Sequence, residues 1–458
     1  MRGIYVFFIS VFFVGNTYSQ SFIVSGYIRD SSDKEALIGA TIKADSLGKR
    51  GAVTNTIGFF SVSLEPGNYN FEISFIGYKT VYKRVTVHQN VELNINLASE
   101  SIHTQEVIVS TEARDRNVRS TEMSRAELSA DKIKTLPVIL GEPDVLKAIT
   151  LLPGIKSGGE GNTGFYVRGG GPDQNLIMMD DAVVYNPSHL LGFMSVFNTD
   201  AVRNAEIIKG GMPANYGGRL SSILNVNMRE GDNKKFRING GIGLIASRLT
   251  FEGPIQKGKS SFIISGRRTY IDALAQPFLK KDQKGNNYHF YDFNFKASYN
   301  LTSKDRIFVS GYLGRDVFKL ISPSNRDIVF KINWGNSIAT LRWNHIFSPK
   351  LFVNTSLVYS RYDLKSAIQF INSEFGARSG IRDWNLKSDV EFLPNSRNKV
   401  KLGFNYTWHT FIPGIATGKF GSTNFEQEIK RQYAHEAAFY CMNDFSLTDR
   451  IFFNIGLR

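Results

Sequence analysis

From about residue 235 onward the chain alternates apolar and polar side chains with a period of two. Phe293, Phe295, Ala297, Tyr299 and Leu301 alternate with Asn294, Lys296, Ser298 and Asn300, and Val353, Thr355, Leu357 and Tyr359 with Asn354, Ser356 and Ser360. Trp384, Leu386, Val390 and Phe392 interleave with Asn385, Lys387, Asp389 and Glu391, and Val400, Leu402, Phe404, Tyr406 and Trp408 with Lys401, Asn405 and His409. Successive side chains of a strand point to opposite faces, so the pattern predicts long strands with one apolar and one polar face. Polar turns recur at Ser303-Lys304-Asp305, Ser348-Pro349-Lys350, Asn395-Ser396-Arg397 and Thr448-Asp449-Arg450, about fifty residues apart, which is one hairpin plus one longer loop. The longer loops are expected at 272–287, 320–330, 367–378 and 413–431. A soluble sandwich produces the same alternation. Long strands, short turns opposed to long loops, and aromatic residues near strand ends favour a membrane barrel.

Two other patterns precede it. Residues 22–98 hold short β-rich runs (Phe22–Ile28, Thr41–Ala44, Gly58–Leu64, Tyr69–Ile76, Val81–Val87 and Val91–Leu97) broken by turn residues such as Pro66-Gly67-Asn68. That density of strands predicts a small β-sandwich. Then Gln105-Glu106-Val107-Ile108-Val109-Ser110-Thr111 stands as an isolated β-forming run between polar segments. It reads either as a last sandwich strand or as an exposed strand awaiting a partner by β-augmentation. The charged stretch 112–127 reads as a tether. Pro143–Ile155 has apolar residues at helical spacing and stops at Pro153-Gly154.

Composition narrows the function classes. Among 458 residues there are 35 Phe, 19 Tyr and 41 Gly, a bias toward strands and turns. The net charge of +14 is dispersed, without a basic run or a nucleic-acid motif, so no nucleic-acid partner is expected. One cysteine, Cys441, excludes an internal disulfide, a cysteine metal cluster and an N-terminal lipid anchor. The seven histidines lack ligand spacing, and His88 and His103 have no zinc-binding partners nearby. Gly159-x-Gly161-x-x-Gly164 matches a dinucleotide pattern without the flanking strand and helix, and no nucleophile turn is present. No cofactor, no metal and no catalytic residue is expected; the protein reads as not an enzyme. Residues 1–19 look like a signal peptide: Arg2, an apolar Ile4–Val14, then Thr17 and Ser19 before Gln20. An exported chain lacking membrane-spanning helices can still cross a membrane as a closed barrel.

Several segments resemble a known family. SGYIRD, LIGATI, TNTIGFFSV and PGNYNFEISFIGYKT resemble the carboxypeptidase-regulatory-like domain, a name that implies no peptidase activity. GFYVRGGGPDQNLIMMDDAVVYNPSHLLGFMSVFN and VRNAEIIKGGMPANYGGRLSSILNVNMREG resemble the plug of TonB-dependent outer-membrane receptors, of the Bacteroidota type. The organisation expected is a signal peptide at 1–19, a regulatory-like sandwich at 20–99, a TonB box at 104–111, a linker at 112–127, a plug at 128–231 and barrel strands at 235–458. The fold class is mainly β: a small sandwich, then an α+β plug inside a transmembrane antiparallel barrel.

The resemblance also implies roles. Glu106, Val107, Ile108, Val109 and Ser110 would form the strand grasped by TonB of the inner membrane. The stretch from Ser110 to Leu128 could extend roughly 60 Å at about 3.3 Å per residue. Arg168 with Gly169, and Gly217, Gly218 and Arg219, match plug motifs whose arginines face acidic groups of the wall and seat the plug. Tyr185, Asn186, Pro187 and His189 would lie near a ligand-facing apex. Asp180-Asp181 departs from the usual Asp-Gly, which leaves the turn geometry there open.

The function expected is TonB-dependent active uptake of a scarce solute, a siderophore, glycan or similar, across the outer membrane. A periplasmic N-terminal domain, outer-membrane lipid around the barrel and a surface lipoprotein partner accompany that reading. The alternative is a non-transporting structural, assembly or adhesion barrel; a secreted carbohydrate-active enzyme would need paired carboxylates in a cleft. About ten strand candidates are visible where such transporters close with 22. Open strand edges in lipid are costly, so the 458 residues are expected to be part of a longer barrel.

Overall fold

The computed structural model describes residues 21–44, 51–55, 57–75, 77–100, 124–136, 141–159, 164–189, 192–281, 283–395, 397–426, 430–448 and 451–458. The expected signal peptide and the Glu106–Ser110 strand lie outside them.

The first eight strands are β1 (Phe22–Asp30), β2 (Thr41–Lys43), β3 (Gly51–Val53), β4 (Phe59–Leu64), β5 (Gly67–Ser74), β6 (Val81–Val87), β7 (Val91–Glu92) and β8 (Ile95–Leu97). They form one sheet ordered β4-β1-β7, with β8 also on β1, and a second ordered β3-β2-β5-β6. The sheets close over Val24, Ile28, Ile42, Phe60, Leu64, Phe71, Ile73 and Leu97, a continuous apolar core.

The next unit runs through β9 (Arg125–Ser129), two one-turn helices (Ala130–Thr135 and Val145–Thr150), β10 (Ile155–Ser157), β11 (Phe165–Val167), β12 (Asn175–Met179), β13 (Ala182–Val183), β14 (Ser188–His189), β15 (Met194–Ser195), β16 (Val202–Ile208) and β17 (Ser222–Met228). Its main sheet is ordered β13-β12-β17-β16-β9. β9 begins at Arg125, inside the stretch expected to be linker, because residues 125–129 pair in register with Ile208–Asn204. The helix expected over 143–155 is confined to Val145–Thr150: the Asp144 carboxylate caps it by accepting the Lys147 N–H, and Gly154, at φ +81°, turns the chain away into β10.

The last unit is a twelve-stranded sheet, two strands more than the alternation suggests. It comprises β18 (Arg237–Ile242), β19 (Ala246–Gln256), β20 (Ser260–Thr269), β21 (Asn287–Asn300), β22 (Asp305–Ile321), β23 (Val329–Ser348), β24 (Leu351–Phe370), β25 (Ser373–Asn395), β26 (Asn398–Phe420), β27 (Thr423–Glu426), β28 (Gln432–Ser446) and β29 (Phe452–Leu457). All neighbours are antiparallel, and β18 and β29 do not pair with each other. Two of the expected long loops are corrected. Phe370 pairs with Ser373 across a tight turn where 367–378 is expected to be loop, and β26 and β27 continue pairing through much of 413–431. Backbone pairing there runs on past the end of the side-chain alternation, which is why periodicity misses it.

Strand register explains the two faces. Ala297, Val309, Leu341, Leu357, Leu386 and Tyr406 are successive cross-strand partners and form one apolar row. Leu341, Leu357 and Leu386 on that row are exposed. One residue along, Ser298, Phe308, Arg342, Ser356, Lys387 and Asn405 form a row on the opposite face, and this face meets the plug. Among the described residues no helix is long and apolar enough to cross a membrane.

Candidate functional site

The chemistry of this chain concentrates in the seam between the middle unit and the polar face of the sheet. At its base is the turn Asp180-Asp181 joining β12 to β13. Both residues are left-handed, at φ +47° and +71°, a conformation aspartate adopts more readily than most side chains. This settles the turn left open in the sequence; the Asp180 carboxylate accepts the Met228 N–H of its own unit at 3.1 Å while also meeting the wall, and Asp181 faces the wall. Asp180 is 3.0 Å from Lys296 Nζ, and its carbonyl accepts from Thr340 Oγ1 at 3.0 Å. Asp181 lies 2.7 Å from Arg342 Nη2 and accepts from Ser356 Oγ at 2.9 Å. Burial alone would raise the Asp181 carboxyl; Arg342, Lys387 and Ser356 outweigh it and hold it well below the usual range.

The chain then climbs the wall. Val183 O accepts from Ser360 Oγ at 2.9 Å, Tyr185 donates to Asp383, and Asn186 O accepts from Asn336 Nδ2 at 2.6 Å. Above them His189 is buried with its ring nitrogens against Asp292 and Asp316. His189 is therefore a fastening in the seam rather than a ligand-facing residue. Tyr185, Asn186 and Pro187 do border open space, a cavity of about 370 Å³ that Arg219 and Asp173 also line.

Further pairs lie along β19 and β22. Arg248 bridges Glu142 at 3.0 Å and Asp200 at 2.7 Å, Arg229 chelates Glu252 at 2.8 and 2.9 Å, and Glu230 meets Arg306 at 2.5 Å. An unpaired charge here would be expensive, and each of these has its partner.

The expected seating arginines are placed otherwise. Arg168, at φ +49°, is exposed; its guanidinium bonds Ser124 and its N–H donates to Gly154 O at 3.1 Å, both within the plug unit. The left-handed Arg168-Gly169 turn, with Gly169 at φ +88°, directs the side chain back onto its own domain. Arg219 donates to Gly218 O at 2.8 Å and faces the cavity beside Tyr185. Gly218 is left-handed at φ +77°, and a Cβ on Gly217 would lie 2.5 Å from Arg458 Nε. Most of the seam has the opposite polarity: the plug supplies Asp180, Asp181, Asp200, Glu142 and Glu230, and the wall supplies Lys296, Arg342, Arg248 and Arg306. The sequence signal for this was a charged residue on the polar face of a strand, of which Lys296 and Lys387 are visible by alternation alone.

The sandwich closes against the short-turn end of the sheet. Glu35 is buried, 2.6 Å from Arg203 Nη1, and accepts the Glu230 N–H at 2.6 Å. Ser61 Oγ donates to Pro349 O at 2.6 Å and Tyr27 to Ser303 O at 3.2 Å. Ile57 and Phe59 form an apolar cluster with Phe308, Ile346 and Phe352 of the wall. Glu230 thus ties three units together through its backbone and its carboxylate. Among the described residues no group of three or more His, Cys, Asp or Glu side chains could hold a metal ion.

Comparison with known proteins gives this geometry a context. Residues 24–109 match the model of the CarboxypepD_reg-like domain, and residues 117–222 that of the TonB-dependent Receptor Plug Domain. No curated protein sequence matches. Similar solved structures include the siderophore receptor PirA from Acinetobacter baumannii, at 13% identity and TM-score 0.53, aligned over 76% of this chain and 57% of that one. A mutant of the ferric enterobactin receptor PfeA from Pseudomonas aeruginosa aligns at 14% identity and TM-score 0.51, over 77% of this chain and 58% of that one. The ferric preacinetobactin receptor BauA from Acinetobacter baumannii aligns at 13% identity and TM-score 0.50, over 73% and 57%. The chain therefore spans less than two thirds of the length of these receptors, and at such identities the likeness establishes the fold. Residues 24–109 and 117–222 thus carry a CarboxypepD_reg-like domain and a TonB-dependent receptor plug domain, and the open antiparallel sheet that follows is like the barrel sheets of these receptors.

Proposed function

We propose that the protein works in energised uptake of a scarce solute, of siderophore or glycan class, across the outer membrane. The observation that carries this reading is the plug seated by buried ion pairs on the polar face of a lipid-compatible wall. A pore left open has no use for such a seat, whereas a gated one needs a plug that is stable at rest and movable under work. The outer membrane has no nucleotide supply, so the work comes from outside it.

The route for that work is the strand Glu106–Ser110, read as the segment that TonB pairs with. Among the described residues the first plug strand is β9, at the edge of its sheet. From Ser110 to Arg125 the chain can reach roughly 50 Å at about 3.3 Å per residue. Tyr185, Asn186 and Pro187, which border a cavity of the plug, are the groups read as ligand-facing.

The test is Val109→Pro in the whole receptor, since proline removes the N–H that augmentation uses. Energised uptake of labelled ferric siderophores or oligosaccharides should stop while surface binding of the same probe persists. Uptake equal to the unsubstituted receptor would refute the coupling role.

A further inference from the structure

His189 occupies the highest fastening of the β13–β14 segment to the wall. Its Nδ1 lies 2.6 Å from Asp316 Oδ2 and its Nε2 2.7 Å from Asp292 Oδ1. Asp292 also accepts from Arg267 Nε at 2.7 Å and Tyr312 Oη at 2.7 Å, and Asp316 Oδ1 accepts from Tyr288 Oη at 2.7 Å. An ionised carboxylate has only acceptors. A neutral imidazole has one hydrogen-bearing nitrogen and one bare one, and a bare nitrogen against a carboxylate oxygen at this distance is repulsive. Both contacts are satisfied together when both nitrogens carry hydrogen.

A charge count agrees. Asp292 and Asp316 bring two negative charges, Arg267 one positive charge, and His189 in its imidazolium form the second. All four are buried, none more than 4% exposed. Neutral His189 would remove one of these two positive charges from a buried group that holds two carboxylates, which is unfavourable. The ring also stacks on Phe290, with centroids 4.1 Å apart and planes 5° from parallel, so the socket fixes its orientation.

We propose that His189 is a positioning residue of the plug, locked as an imidazolium between Asp292 and Asp316, and that its charge holds the loop around Tyr185–His189 to the wall. This deepens the transport reading and rests on it only in treating the middle unit as a plug. Burial opposes the charged ring, but the two carboxylates outweigh it and raise the group from 6.5 to about 9. Because the value in the folded protein lies above the free one, the fastening is complete below about pH 6.5 and is lost as pH rises through about 9. The other ionisable groups facing the ring are Arg267 from β20, Tyr288 and Asp292 from β21, and Tyr312 and Asp316 from β22. Asp144 and Glu142 of the plug reach it through Ser195 and Arg267.

The test uses the whole receptor in detergent micelles and does not depend on uptake, so its failure is separable from failure of the transport reading. Ring ¹⁵N spectra should give His189 two protonated nitrogens at pH 8, when exposed histidines are neutral. Amide protection over residues 182–189 and 192–196, corrected for intrinsic exchange, should fall on the order of a hundredfold as pH rises through 9. His189→Gln should lose that protection at pH 7, and His189→Gln with Asp316→Asn, which restores neutrality, should regain much of it. A bare ring nitrogen on His189 at pH 8, unchanged protection in His189→Gln, or a double variant no better than the single one would each overturn the proposal.

Discussion

Asp181 of the plug and Arg342 of the wall meet at 2.7 Å, where a left-handed aspartate turn faces the polar row of β23. The contact depends on chain reversal at Asp181 and on the strand register that puts Arg342 beside Ser356 and Phe308. Neither alone would create it.

Breaking that pair should loosen the plug. Asp181→Asn leaves Arg342 buried without its counter-charge, a loss of about 3 kcal/mol at the low end for such pairs, since Asp181 keeps 20% of its side-chain surface. Chemical denaturation of the whole receptor, followed by protease sensitivity of the plug, should register the loss. Asp181→Asn combined with Arg342→Met should be less destabilised than Asp181→Asn alone.

The two faces of the wall should respond differently to substitution at adjacent positions. Leu357→Arg puts a charge on the apolar row and should cost about 2–4 kcal/mol if it sits near mid-membrane. Ser356→Ala removes one hydrogen bond to Asp181 and should cost about 1 kcal/mol. Folding measurements in lipid vesicles that ranked the two in reverse would invalidate the face assignment.

Docking of the sandwich should fail without unfolding it when Phe59 is truncated. Phe59 packs edge-on against Phe352 at 6.1 Å between ring centroids, in a cluster separate from the sandwich core. For Phe59→Ala, hydrogen exchange should rise at the 303–305 and 348–350 turns while β1 and β5 stay protected. Loss of protection in β5 as well would mean that Phe59 supports the sandwich itself.

The sandwich, where Asp33 lies beside Glu35 and its carbonyl accepts the Asn233 N–H, should lose stability as pH rises from about 4 to 7. Burial first, then the neighbouring Glu35 and Asp30 carboxylates, push Asp33 up from 3.8 to about 7. The unfolded chain releases this proton near 3.8 and the folded one only near 7, so ionisation favours the unfolded state across that window. A thermal-melt series for Asp33→Asn should lack this part of the pH dependence; an identical profile in the variant would exclude Asp33 as its source.

Much of the architecture is legible along the chain because it rests on local rules. Alternation from Phe293 to Leu301 and from Val400 to Trp408 specifies strands and their two faces, and turn residues at 303–305, 348–350 and 395–397 mark where the strands reverse. The order of sandwich, plug and wall follows from motif order. The seam was not legible, because its pairs join residues distant in sequence: Asp180 with Lys296, Asp200 with Arg248, Glu35 with Arg203, His189 with Asp292 and Asp316. A motif marks Arg168 as a seating residue, yet a left-handed turn points it back at Ser124, and Asp181, a deviation from the motif, takes the wall contact. Periodicity determines which face a side chain occupies. Which charge meets which depends on strand register and on how the plug sits against the wall, and those are set by the packing of the whole chain.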